Sequence, residues 1–327
     1  MRLAVDAMGG DNAPAAVVEG SVKAARAYKV EIVLVGRKDD IQHELNKYSY
    51  PNDLISIHHA SEIILMDESP VAAIKQKKDS SINVAINLLK TKQVDAVISS
   101  GNTGAYMTSA LLNIGRIHGI ERPAIATLIP THNSKTMFLD MGANVDCKPK
   151  HLYQFSLMGN VFAKEVLGIA HPKIALLNIG EEEEKGNELT FATYKLLKAS
   201  KEINFIGNIE GKDVLTGRAD IIICDGFVGN MLLKFGEGLG LYLGNILKKE
   251  IKNSIFAKIG AVFLYPSLQR IRKFIDYDEY GGALLLGING ICIKAHGRAN
   301  EKAFQNAIKV AIDSVDHKII DIIKKSY

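Results

Sequence analysis

One feature constrains this chain more than any other. Short, almost wholly apolar runs recur along it, each closed by glycine and small polar residues and followed by a helical pattern. Leu3–Val5 leads into Asp6-Ala7-Met8-Gly9-Gly10-Asp11, Ile32–Val35 ends at Gly36, and Val94–Ile98 leads into Ser99-Ser100-Gly101-Asn102-Thr103-Gly104. Further on, Ile174–Leu177 leads into Asn178-Ile179-Gly180, Ile203–Ile206 into Gly207-Asn208-Ile209-Glu210-Gly211, and Ile221–Cys224 into Asp225-Gly226-Phe227-Val228-Gly229-Asn230. Strands that lack an apolar/polar alternation are those covered on both faces. Their alternation with helices predicts a doubly wound α/β fold on a mostly parallel sheet. Ligands of such sheets bind beyond the carboxyl ends of the strands. Gly, Asn and Asp gather at those ends here, and the loops are expected to converge on one edge of the sheet.

No repeat, low-complexity tract or Pro/Gly/Ser linker divides the 327 residues, so residues 1–327 read as one domain. At 47% hydrophobic and 23% charged the composition is that of a globular protein with a large core. No charged-then-apolar leader precedes Leu3, and no apolar run reaches the ~18 residues of a membrane span, so neither export nor membrane crossing is expected. Cys147, Cys224 and Cys292 lie far apart and form no C-x-x-C pair, which predicts small buried thiols in a reducing compartment.

The net charge of +4 is unevenly placed. Between Lys248 and Lys273 seven Lys or Arg face one acid, Glu250, giving +6 and leaving −2 for the remainder. Such a patch suits a specific acidic partner or an anionic surface and not general nucleic-acid binding. In the same region Leu239, Leu243, Leu247, Ile251, Ile255 and Ile259 fall every fourth residue, an amphipathic helical stripe. Pro266 is expected to break it after Ala261-Val262-Phe263-Leu264-Tyr265. A helical hairpin at about 239–275 is therefore predicted, with an apolar tip and basic arms.

Phosphate is held well by backbone N–H groups at a helix start, where glycine lets the chain approach closely. The segment Ser99–Ala105 fits that design, as does Asp225–Asn230. Neither contains G-x-G-x-x-G or G-x-x-x-x-G-K-[ST], so nothing supports nucleotide binding. In Asn178–Asn187 four consecutive acids precede Lys185-Gly186-Asn187, where a Lys and an amide could hold a phosphate oxygen or a developing oxyanion. His296, after the strand-like Ile288–Ile293, is either a general base, a phosphate ligand or a structural histidine. The pair His58-His59 has no third ligand at metal spacing. There is no Gly-x-Ser-x-Gly elbow, and no metal site is expected.

Taken together, Asp6–Asp11, Ser100–Ala105, Asp140-Met141-Gly142-Ala143-Asn144, Asn178–Glu182 with Lys185-Gly186-Asn187, Gly207–Gly211, Cys224–Asn230, Tyr280-Gly281-Gly282-Ala283 and His296-Gly297 resemble the acyl carrier protein:phosphate acyltransferases of bacterial phospholipid synthesis, the PlsX family. The matches follow one another in order over nearly the whole chain. The resemblance implies a three-layer α/β/α domain related to isopropylmalate dehydrogenase and phosphotransacetylase, working as a homodimer without metal or nucleotide cofactor. It implies transfer of a fatty acyl group from a carrier-protein thioester to inorganic phosphate. The acyl phosphate would then feed a membrane glycerol-3-phosphate acyltransferase. Departures are mild: Lys212 stands where Arg is usual, Leu284 where Pro is usual, and Arg298-Ala299-Asn300 where small residues are usual. Lys212 keeps the charge and loses bidentate geometry.

On this reading Lys185, Asn187, Asn102, Asp225 and His296 are the candidate catalytic residues. Gly9, Gly10, Asp11, Ser100, Gly101, Thr103, Gly104, Asn144, Glu210, Lys212, Gly229 and Asn230 are the candidates for holding phosphate and substrate, with Asp6 a weaker one. Lys252, Phe256, Lys258, Ile259, Val262, Phe263, Leu264 and Arg270 are expected to touch an acidic carrier protein, an anionic membrane surface or the partner in a dimer; membrane contact is the favoured reading and places a cytoplasmic enzyme at the inner face of the cell membrane. The rivals are a coenzyme A-dependent phosphotransacetylase, a related-fold dehydrogenase, and a silent scaffold for lipid-synthesis enzymes.

Overall fold

The computed structural model of the chain describes residues 1–131, 135–275 and 281–326, without the side chains of residues 268 and 270–275. Its strands are β1 (Arg2–Asp6), β2 (Glu31–Gly36), β3 (Ile55–His59), β4 (Ala96–Ser99), β5 (Ala124–Pro130), β6 (Lys135–Leu139), β7 (Lys173–Asn178), β8 (Asn204–Glu210), β9 (Ile221–Ile223), β10 (Ala283–Leu286) and β11 (Ile291–Lys294). Its α-helices are α1 (Ala15–Tyr28), α2 (Lys38–Leu45), α3 (Pro70–Gln76), α4 (Ser81–Lys90), α5 (Thr103–Asn113), α6 (Pro149–Glu165), α7 (Glu188–Ala199), α8 (Gly226–Asn253), α9 (Ile255–Ile275), α10 (Glu301–Asp316) and α11 (Ile319–Lys325).

The strands form a single sheet in the order β3-β2-β1-β4-β11-β10-β5-β6-β9-β7-β8. Apolar residues fill both faces, as the continuous runs required. On one side Leu3, Val5 and Ile98 pack with Val17 and Val18 of α1, Phe155 of α6 and Phe304 of α10. On the other, Ala4, Val97 and Cys292 pack with Ile74 of α3, Ile82 of α4 and Tyr106 of α5, with Leu232 and Leu233 of α8 laid against them. The result is the expected three-layer α/β/α arrangement. Cys224 and Cys292 are buried and Cys147 is half-buried, all three as free thiols.

Two expectations need correction. The pairings β11–β10, β10–β5 and β5–β6 are antiparallel and the other seven are parallel. Three reversals in the middle make the two halves run in opposite directions. The carboxyl ends of β1, β4 and β11 therefore lie on one edge of the sheet, and those of β6, β7, β8 and β9 on the other. The loops do not share one edge.

The second correction concerns the amphipathic stripe. The helical interruption falls at Ser254, and Pro266 lies inside α9. The serine starts a new helix by itself: its Oγ accepts from the Ala257 N–H at 3.2 Å and its carbonyl from the Lys258 N–H at 3.0 Å. That is helix-start chemistry, and it decides where the chain turns. The apolar segment Ala261–Tyr265 is thus a stretch of helix and not a loop tip. Phe256, Ile259, Val262, Phe263 and Leu264 are exposed. Lys252 and Lys258 are exposed as well. The Arg270 side chain and the Tyr280 of the glycine motif lie outside the described residues.

Candidate active site

On the first edge three strand-end loops interlock. Asp6 ends β1 fully buried, and its carboxylate accepts from the Ser99 hydroxyl at 2.6 Å and the Met8 N–H at 3.1 Å. A Cβ on Gly9 would stand 2.5 Å from that carboxylate and 2.6 Å from the Gly101 nitrogen, so no side chain fits between the β1 and β4 loops. Gly10 adopts φ +95°, open to glycine, and a Cβ there would lie 2.5 Å from the Ser100 hydroxyl. Ser100 donates to the Gly9 carbonyl, and the Asp11 N–H donates to the Gly297 carbonyl at 2.8 Å, tying in the loop after β11. The backbone is pressed together here, which is what a site lined by main-chain N–H groups needs.

Asn102 has a different role from the one its motif suggested. Its Oδ1 accepts from the Ala105 N–H at 3.0 Å, capping α5. Its Nδ2 is shared among the carbonyls of Leu65, Met66 and Glu68 at 3.1 to 3.3 Å. Both ends of the amide are committed, so Asn102 shapes the loop, and the N–H groups of Thr103 and Gly104 stand in the first turn of α5. His296 accepts the Arg298 N–H at 3.1 Å through Nδ1, which puts its remaining proton on Nε2. Nε2 lies 3.6 Å from the Glu237 carboxylate of α8. Asp11 is exposed and stands 3.7 Å from the Arg298 guanidinium.

The opposite edge is built around Asp140, just after β6. Its carboxylate accepts from Ile125 N–H (2.9 Å), Ala143 N–H (3.1 Å), Asn144 N–H (2.7 Å) and Asn144 Nδ2 (2.9 Å). Burial raises its pKa to about 6 against those lowering bonds. Asn144 also gives Nδ2 to the Pro123 carbonyl and takes the Gly226 N–H, so it too is a structural group. Asp225 caps α8 by accepting the Val228 N–H at 2.9 Å. Gly229 allows α8 to lie on this loop, since a Cβ would come within 2.0 Å of the Asp140 carbonyl. Asn230, half-buried, packs beside Gly142.

Beyond the neighbouring strands of this edge lies the acidic loop. Lys185, Gly186 and Asn187 are all exposed. Asn187 caps α7 through its Oδ1, while Asn178 reaches across the loop to the Lys185 carbonyl at 2.9 Å. All four acids are exposed, and two are ion-paired: Glu181 with Arg218 at 2.6 Å and Glu183 with Lys198. Glu210 and Lys212 pair with each other at 3.0 Å. Lys185 and Asn187 thus stand on one edge, while Ser100, Gly101, Thr103, Gly104, Gly9, Gly10 and His296 stand on the other. The rod of α8 joins the two: it is capped by Asp225 and by Glu237, about 18 Å further along, has reached His296.

Two residues that sequence reading missed matter here. Asp140 was legible only as part of a motif. Lys294, the last residue of β11, is buried to 8% exposure. The signal was a lysine closing the apolar run Ile291–Ile293, but only the register shows where it points. Among the described residues no group of three or more His, Cys, Asp or Glu could hold a metal, and no helix is long and apolar enough to cross a membrane.

These features define a three-layer α/β protein with glycine-rich loops and helix starts at the ends of its strands. Its fold is that of the phosphotransacetylase from Streptococcus pyogenes (TM-score 0.66, 16% identity, 97% of this chain and 94% of that one). It is also that of a branched-chain phosphotransacylase from Enterococcus faecalis (TM-score 0.60, 14% identity, 96% and 99%). Residues 1–322 match the family described as fatty acid synthesis protein. Proteins named phosphate acyltransferase from Clostridium kluyveri and Dictyoglomus turgidum are 51% and 52% identical, over 99% and 95% of this chain and 97% and 93% of theirs. The chain belongs to this phosphate acyltransferase family, the PlsX family.

Proposed function

We propose that the chain transfers a long-chain fatty acyl group from an acyl carrier protein thioester to inorganic phosphate, giving acyl phosphate for phospholipid synthesis. The observation that carries this reading is the interlocked loop set of Gly9, Gly10 and Gly101 beside the start of α5: a Cβ on Gly9 or Gly10 would meet its neighbours at 2.5 Å, and the first-turn N–H groups of Thr103 and Gly104 head the helix. Phosphate supplies its own nucleophile, so the protein has to position it and stabilise the tetrahedral oxyanion. A phosphate oxygen bonds the thioester carbon, the carbon–sulfur bond breaks, and the departing thiolate takes up a proton. His296 Nε2–H, held by Glu237, is the donor nearest the loops. Lys185, with Asn187, takes the oxyanion side. Because the two groups stand on different edges, the site is completed by the partner in a homodimer, or by closure around α8.

The exposed apolar residues of α9, between Lys252 and Lys258 and beyond, suit reversible contact with an anionic lipid surface. That contact would leave the hydrophobic product at the inner membrane face, where a glycerol-3-phosphate acyltransferase uses it. The experiment is phosphate-dependent release of free carrier protein from palmitoyl-carrier, with the acyl phosphate trapped by hydroxylamine. Release with trapped product supports the reading; release only from acetyl coenzyme A would replace it by a phosphotransacetylase.

A further inference from the structure

The three strands that end under the glycine loops finish in a row. Ser99 of β4 is in register with Lys294 of β11, and Val5 of β1 with Ile98, which sets Asp6 beside Ser99. Val97 and Cys292 place Ser99 and Lys294, by the two-residue repeat of a strand, on the sheet face that carries α5. Asp6 faces the same way, two residues after Ala4. The row is therefore carboxylate, hydroxyl, ammonium, on neighbouring strands about 4.8 Å apart. All three residues are buried.

The two charged ends are not equally served. Asp6 is hydrogen-bonded by Ser99, Ser81 and the N–H groups of Met8 and Gly9. The Lys294 ammonium has three hydrogens and donates one to the neighbouring Ala295 carbonyl. A buried ammonium with donors to spare is costly, and burial lowers its pKa to about 8 although Asp6 works against that fall. Lys294 closes the strand whose following loop is tied to the β1 loop, the Asp11 N–H donating to the Gly297 carbonyl at 2.8 Å.

We propose that Lys294 is the fixed cation of the phosphate subsite, donating to the phosphate oxygens, with Asp6 as the counter-ion that holds it between turnovers. This rests on the reading that inorganic phosphate is the acyl acceptor. Phosphate then sits between the N–H groups above it and one ammonium below. The lysine adds to the affinity for the acceptor and leaves binding of the acyl carrier untouched.

The test is the phosphate dependence of carrier release by the full-length protein, in wild type, Lys294→Met, Lys294→Arg and the double variant Asp6→Asn/Lys294→Met, each with a thermal melt. Loss of charge-assisted hydrogen bonds is expected to raise the phosphate KM at least ~10-fold in Lys294→Met, with the KM for acyl carrier unchanged and Lys294→Arg intermediate. The double variant removes the buried charge imbalance and so keeps the test alive if Lys294→Met does not fold. It is expected to melt higher than Lys294→Met and to keep the raised phosphate KM. A double variant with wild-type phosphate KM would show that Lys294 merely neutralises Asp6, and parallel rises in both KM values would equally overturn the proposal. A wild-type protein that uses no phosphate at all would instead overturn the acceptor reading and the lysine with it.

Discussion

Asp6 and Asp140 are both buried aspartates at strand ends, one on each edge of the sheet, and the protein treats them differently. Asp6 shares its row with Lys294, and its loops are pressed together until only glycine fits. Asp140 is held by N–H donors alone, those of Ile125, Ala143 and Asn144, and it anchors the start of a long helix. Around Asp6 a hydroxyl and a buried ammonium follow on the next two strands of the same row. Around Asp140 the N–H groups of Ile125, Ala143 and Asn144 go to the carboxylate, with Asn144 Nδ2 shared with the Pro123 carbonyl. The two edges share a glycine-rich loop with a buried aspartate and differ in what is set beside it: a strand carrying Lys294 in the Asp6 row, and the start of α8 packed onto the Asp140 loop.

The sharpest way to break this comparison is to add one methyl group on each edge. Gly229→Ala drives a Cβ into the Asp140 carbonyl, and about 3 kcal/mol or more of stability should be lost in thermal or denaturant unfolding. Gly9→Ala should cost a similar amount, with acceptor use lost as well; a Gly9→Ala protein with normal phosphate KM would remove the loops from the site.

A pH series comes next. Asp140 has a folded pKa of about 6, above its ordinary 3.8, so its proton is held more tightly in the folded state. Stability should therefore fall as pH rises from about 4 to 6 and level off above, by about 3 kcal/mol in all from this group. Asp140→Asn should flatten that part of the stability curve even though it weakens the fold; an unchanged slope would mean the carboxylate is solvated.

Lys185→Ala tests whether the exposed loop takes part in chemistry. It should lower kcat by roughly 100-fold, as loss of an oxyanion donor does, while Glu183→Gln changes little. Equal losses in the two folded variants would return Lys185 to the surface. The smallest effect on turnover is expected from Phe263→Glu/Leu264→Glu, which should keep activity on soluble carrier substrate and lose sedimentation with anionic liposomes. Undiminished sedimentation would reassign that face of α9 to contact between protein chains.

Much of this was legible from the residues, and unevenly so. β1, β2, β4, β7 and β9 could be read because strands covered on both faces leave unbroken apolar runs. β8 was read in part: it is the edge strand, alternately exposed and half-buried over residues 204–207, and residues 207–210, expected as a turn, continue the strand. β3 could not, since Ile55–His59 is largely exposed and ends in His58 and His59. β5, β6 and β10 escaped as well, and with them the reversal that splits the loops between two edges; strand order is a long-range property with no local mark. The caps illustrate a subtler limit. Asn102 precedes α5 as an N-cap should, and the sequence carries that signal. That its other amide end would clamp Leu65–Glu68 depends on a segment 34 to 37 residues away. Lys294 was hidden for the same reason, because burial of a lysine is set by its neighbours in register. The stripe through Leu239–Ile259 predicted helix correctly, yet Ser254, with a hydroxyl free to cap, outweighed Pro266 in choosing the joint.

The position of β10 and β11 has a consequence for how the protein is made. These strands come from residues 283–294, near the end of the chain, yet they stand in the middle of the sheet between β4 and β5. As the polypeptide leaves the ribosome, β4 and β5 are complete long before the strands that join them exist. Until then each half presents an open, apolar strand edge of the kind that other chains readily pair with. The sheet is closed from its centre and at the last moment. Nascent chains stopped before residue 283 should expose two such edges, and chaperone capture of stalled chains, with the full-length protein as control, would read that out.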